Sequence, residues 1–252
     1  MYTLPADIHN EILAALCVVA VASTDIRAPV SCRINASDAT PSAQGAVEAH
    51  VSQELASALL SHAEHKGRFC RLDWNSEYYA LHPWGRRDLP DDLRKVLRCA
   101  AWEVVRESDF PHSDHVNIQE ARSFRSVIRR RCSQHLQPER IVNLIDSQVV
   151  LGAFSKGRSS ACQLNAVLRS CLGWCVLSKK DFLQCWFESG DNFADDPSRH
   201  NPLRKSETPP EHLRVLLQPA CDEARRGKSA RRLAGIRCLE VFSGCGRLSE
   251  AW

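Results

Sequence analysis

The spacing of apolar residues along the chain changes several times, and each change predicts a change of element. Residues 12–22, ILAALCVVAVA, are continuously apolar. This run is too short to cross a bilayer, and the acidic Asp7 and Glu11 before it do not suit a signal peptide, so it predicts a buried helix. Over residues 32–50 the period falls to two, with an extended stretch into Asp38, a Thr-Pro-Ser turn and a second extended stretch from Gly45-Ala46-Val47. That pattern predicts a pair of strands around a turn, with Asp38 at the end of the first.

Helical spacing then dominates. Ser52 to about His65 predicts one helix, and about Pro90 to Val105 another, with Leu93, Val96, Leu97, Ala100 and Val104 on its apolar face. VNIQEARSFRSVIRRRC predicts a third, with Glu120 near its start and Arg129, Arg130 and Arg131 near its end. RIVNLIDSQ is an apolar strand that stops at Asp146 and turns into the helix VVLGAFS, closed by Lys156-Gly157. A longer helix from Ser160 to Leu177 should face Leu164, Val167, Leu168, Cys171 and Leu172 inward, and DFLQCWFES is the last strand. Asp196 before Pro197 suits a helix N-cap. Strands interleaved with helices predict an α/β domain.

Composition adds a compartment and a polarity. Twelve cysteines occur with no CxxC pair, which predicts reduced thiols in an intracellular protein, nuclear or cytoplasmic, with no membrane segment. Residues 199–232 hold nine Lys/Arg against four Asp/Glu, although the whole chain is only +3. A basic segment beside a faintly acidic body suits either nucleic-acid contact or a solvated linker. Residues 201–235 read as a Pro-rich and basic linker with room for one short helix.

Four acids sit at edges of predicted elements: Asp38, Glu120, Asp146 and Asp195. Carboxylates converging at strand ends can hold hard divalent cations for phosphoryl transfer, although an isolated Asp near a turn is more often a cap or a solvated side chain.

The order and wording of "SDAT…QGAV", "HVNIQEARSF", "NLIDSQVVLGAFSKGRSS" and "SGDNFADDPSR" resemble the ribonuclease H domain of retroelement reverse transcriptases. The resemblance covers roughly residues 30–200. It implies a ribonuclease H-like mixed sheet flanked by helices, with Asp38, Glu120, Asp146 and Asp195 as catalytic and metal-binding residues. It further implies two Mg²⁺ ions, for which Mn²⁺ could substitute, and cleavage of the RNA strand of an RNA/DNA hybrid.

Lys156, Arg158 and Asn192 become candidate nucleic-acid contacts; for Arg129 to Arg131 both phosphate contact and a solvated helix end stay open. Residues 51–112 are long for this fold and read as a helical insertion that covers one side of the sheet or lengthens its third strand. Residues 1–30 resemble a connection to a polymerase, the expected partner within a larger polyprotein. No His lies in the loop before Asp195, where some ribonucleases H carry one; His200 comes after it.

At the end of the chain, LEVFSGCGRLSEAW resembles the first cofactor motif of cytosine-C5 DNA methyltransferases, with Glu240, Phe242, Gly244 and Gly246 matching. The sequence stops before a Pro-Cys nucleophile could follow, so S-adenosylmethionine binding is not expected. Two further readings stay open: a catalytically decayed nucleic-acid-binding domain, and the N-terminal fragment of a DNA cytosine methyltransferase-like protein.

Overall fold

A computed structural model describes residues 5–64, 89–134 and 137–218 of the chain. Five strands form one mixed sheet in the order β3-β2-β1-β4-β5. Strands β1 (Arg33–Ala39) and β2 (Ala43–His50) are an antiparallel hairpin, and β3 (Trp102–Asp109) adds antiparallel to β2 through an irregularity at Ala46/Val47. Strands β4 (Glu139–Ile145) and β5 (Lys180–Trp186) continue the sheet in parallel with β1. Parallel neighbours require crossovers, which the helices supply.

Alternation along the strands divides their side chains between two cores. On one face Ile34, Ala36, Val47, Val142 and Leu144 pack with Leu55 and Leu59 of α2 (Gln53–Ser61) and with Val96 and Leu97 of α3 (Asp91–Arg98). On the other, Ala46, Ile145 and Trp186 meet three helices. These are α4 (Val116–Cys132), α5 (Gln148–Lys156) and α6 (Cys162–Ser178), which contribute Phe124, Val127, Leu151, Leu164 and Val167. Local chemistry sets the helix ends: the Ser52 hydroxyl accepts from the Leu55 amide at 3.1 Å, and Gly157 closes α5 in the left-handed region at φ 69°.

The structure is therefore a mixed α/β fold with helices on both faces of a five-stranded sheet, as the alternation of periods predicts. Several expectations are corrected. The helix read over 90–105 stops at Arg98, and Trp102–Asp109 is a sheet edge. Residues 51–112 do cover one face through α2 and α3, but they also contain that third strand. Leu172, expected inside, is exposed.

The apolar run near the start does form a helix, α1 (Ala6–Val19), but not a buried one: Leu16 is 64% and Val19 72% exposed, and among its described side chains only Val18 is buried. Nor are residues 201–218 a free linker. The Ser206 hydroxyl donates to the Ala100 carbonyl at 2.5 Å, the Glu207 amide donates to the Arg98 carbonyl at 3.0 Å, and a 3-10 turn over Glu211–Leu217 lays Leu213, Leu216 and Leu217 on the first core.

Candidate metal centre

Strand register brings the first two acids together. β1 pairs with β4 through Asn35/Asn143 and Ala36/Leu144, and continuing that register two residues sets Asp38 level with Asp146. Glu120 arrives from the first turns of α4, whose apolar side, Ile118, Ala121 and Phe124, is buried. One carboxylate oxygen from each of Asp38, Glu120 and Asp146 lies within 4.8 Å of the others. This buried acidic triad could bind a metal ion.

Its electrostatics are those of charges without a counter-ion. Burial, assisted by the nearby Asp146 and Asp195, raises the Asp38 carboxyl to about 6 against the opposing Ser198 hydrogen bond. Burial together with Asp146 and Asp38 raises Glu120 to about 8, against a hydrogen bond from Ser147. Oxygen Oε2 of Glu120 and Oδ1 of Asp146 are buried without a hydrogen-bond partner. Buried carboxylate oxygens in that condition cost free energy unless a proton or a cation satisfies them. Three hard oxygen donors with two orphaned atoms are a donor set that fits Mg²⁺ or Mn²⁺ and poorly suits a soft metal.

The segment after β5 closes over this site. Gly45 stands opposite Asp38 in the hairpin, and a Cβ there would lie 2.4 Å from both the Ala194 carbonyl oxygen and the Ser198 amide nitrogen. Only glycine lets the short helix α7 (Asp195–Ser198) rest directly on β2. From α7 the buried Ser198 hydroxyl reaches Oδ2 of Asp38 at 2.5 Å. Arg94 and Arg98 of α3 anchor the preceding loop through Asp191, at 2.8 and 2.7 Å, and Arg94 also holds Glu188.

Asp195 lies outside the group of three. Its charge reaches Asp38, but its own carboxylate accepts from Arg199 Nε at 2.7 Å. Asp196 does not cap the helix, whose N-cap is Ala194. It instead accepts three hydrogen bonds from Arg204, at 2.7, 2.8 and 2.9 Å. Burial works to raise its carboxyl, and Arg204 prevails, holding it below the ordinary value.

Asn192 is fully buried. It accepts from the Ala194 amide at 2.9 Å and donates to the Ser37 carbonyl at 3.4 Å, so it braces the loop and is absent from the surface a nucleic acid would meet. Lys156 and Arg158 are exposed and line a groove of about 520 Å³ with Gln148, Val149, Gly152 and Ser159. His200 bridges Glu107 and Asp109 of β3, each at 2.9 Å.

The arginine run is not a freely solvated helix end. Arg131 is 1% exposed and donates to Glu48, Glu139 and Ser31; Arg130 donates to Glu48; Arg129 stacks over Trp174. Glu240, Phe242, Gly244 and Gly246 lie outside the described residues.

Sequence reasoning missed Gly45 and two serines, Ser189 and Ser198, that bond to the triad. All three stand inside the quoted motifs, which gave them no role. No protein-family model, curated protein or solved structure matches the chain. No helix among the described residues is long and apolar enough to cross a membrane.

Proposed function

We propose that the chain is a ribonuclease H-like endonuclease of a retroelement that hydrolyses the RNA strand of RNA/DNA hybrids with Mg²⁺. One observation carries this reading: Asp38, Glu120 and Asp146, from three motifs in the family's order, converge on one point with two buried oxygens unsatisfied. Asp38, Glu120 and Asp146 would hold the cation, with Mn²⁺ able to replace Mg²⁺. Bound there, divalent ions supply an activated water and stabilise the charge that develops on the leaving oxygen.

The chain's own groups do the remaining work. Asp38 and Glu120 must give up their protons before a cation can be held, so binding is coupled to pH. Asp195 would join as a fourth carboxylate after exchanging Arg199 for the ligand, leaving that arginine free for a phosphate. Lys156 and Arg158, in their groove along α5, would contact the hybrid backbone, and selectivity for the RNA strand would rest on 2′-hydroxyls and helix shape.

Incubation of the purified chain with labelled hybrid and Mg²⁺ tests the reading. Cleavage leaving a 5′-phosphate and a 3′-hydroxyl, lost in Asp146→Asn, is the expected result; no cleavage, or equal cleavage by the variant, would sink it. A second reading, a decayed domain that binds hybrids without cutting them, is favoured by the engagement of Asp195 by Arg199. It predicts salt-sensitive binding with no Mg²⁺-dependent products.

A further inference from the structure

Two acids of the triad each receive a serine hydroxyl from the segment that closes over the site. Ser198, buried in α7, donates to Oδ2 of Asp38 at 2.5 Å. Ser189, exposed in the 3-10 turn Ser189–Asp191, donates to Oδ2 of Asp146 at 2.5 Å.

The pattern has a second regularity. With Ser189 on Oδ2 of Asp146, Oδ1 is left buried and without a partner. Glu120 likewise keeps Oε2 buried and unpartnered. A hydroxyl that takes one oxygen fixes the carboxylate's rotation and leaves the other oxygen for a ligand, as outer-shell partners do at metal sites. Three isolated carboxylates merely seeking hydrogen bonds would not leave buried oxygens vacant on two of them.

We propose that Ser189 and Ser198 are positioning residues that fix the Asp146 and Asp38 carboxylates for coordination of a divalent cation. The inference rests on the metal-binding part of the proposed function and extends it to side chains that touch neither cation nor substrate. It also explains the anchoring by Arg94, Arg98 and Gly45: they place the segment 189–198, and with it both hydroxyls.

Mn²⁺ binding to the full chain, followed by electron paramagnetic resonance at mildly alkaline pH, tests this without recourse to activity. Ser189→Ala should weaken Mn²⁺ binding roughly 10- to 100-fold, while the metal-free melting temperature stays that of wild type, because Ser189 is exposed. Ser189→Thr, which keeps a hydroxyl at an exposed position, should restore wild-type affinity. Ser198→Ala should weaken binding likewise, and if it fails to fold Ser189→Ala decides. Unchanged affinity in Ser189→Ala would overturn the inference alone. Absence of Mn²⁺ binding by the wild type would overturn the metal reading and the inference with it.

Discussion

Strand β4 has a buried acidic cluster at each end, and the two are built on opposite terms. At its start Glu139 joins Glu48, but Arg131 sits between them at 3.3 and 3.2 Å, and Lys180, Arg130 and Arg33 complete the set. Burial would raise the Glu48 carboxyl, yet Arg131 and then Arg130 prevail and hold it below the ordinary value. Just past the other end of the strand Asp146 meets Asp38 and Glu120, no cation is interposed, and both of those neighbours are raised. Comparable burial thus leaves Glu48 below the ordinary carboxylate value at one end, and Asp38 and Glu120 above it at the other. The cluster with its own cations is complete as structure; the cluster without them could bind a metal ion.

The contrast is broken most severely by removing the internal cation. Arg131→Met should destabilise the fold by roughly 3–5 kcal/mol, because Glu48 and Glu139 remain buried without their shared partner; chemical denaturation would measure it. A cost below about 1 kcal/mol would show that Lys180 and Arg130 suffice.

pH should separate the two ends next. For Asp38 and Glu120 the folded state binds more protons than the unfolded state, so their contribution is full below the ordinary carboxylate range and is lost as pH rises through about 6 and about 8. Without metal the melting temperature should fall across that window, and saturating Mg²⁺ should flatten the fall. Glu48 has the opposite sign, its stabilisation fading as pH drops below the ordinary carboxylate value. A pH-independent melting temperature between mildly acidic and mildly alkaline conditions would contradict the assignment of raised carboxyls.

A smaller effect follows at Gly45. An added Cβ collides with the α7 backbone, so Gly45→Ala should cost roughly 1–3 kcal/mol and, by displacing Ser198, reduce the stabilisation that Mg²⁺ confers. The smallest change is expected of Asp146→Asn, which relieves repulsion within the triad: the metal-free chain should gain about 1 kcal/mol while its response to Mg²⁺ disappears. A stability loss would mean that the triad is a structural hydrogen-bond cluster.

The two clusters were not equally legible in the sequence. Asp38 and Asp146 stand where strands meet turns and Glu120 at a helix start, so local pattern and motif order place all three in advance. The arginine run looked like any basic helix end, since its partners Glu48 and Glu139 come from other elements and only the folded sheet brings them to Arg131. In the pair Asp195-Asp196 the decisive facts are likewise remote or side-chain specific: Arg199 takes the first and Arg204 the second, leaving the N-cap to Ala194.

β3 was misread for a different reason. Leu93, Val96, Leu97, Ala100 and Val104 satisfy helical spacing, but Glu103, Arg106, Glu107 and Asp109 give the stretch after Trp102 the polarity of a sheet edge, where one long side is open to water. The exposed apolar surface of α1 shows the converse limit, for an apolar run predicts a helix without specifying what covers it.

The central claim is that the triad can hold a cation, and that Glu120 keeps a proton at neutral pH until one arrives. Calorimetric titration of Mg²⁺ into the wild-type chain at neutral pH, in two buffers of different ionisation enthalpy, reads this directly. With Glu120 raised to about 8 and Asp38 to about 6, binding should release about one proton per chain. Binding without proton release, or no binding, would contradict the account.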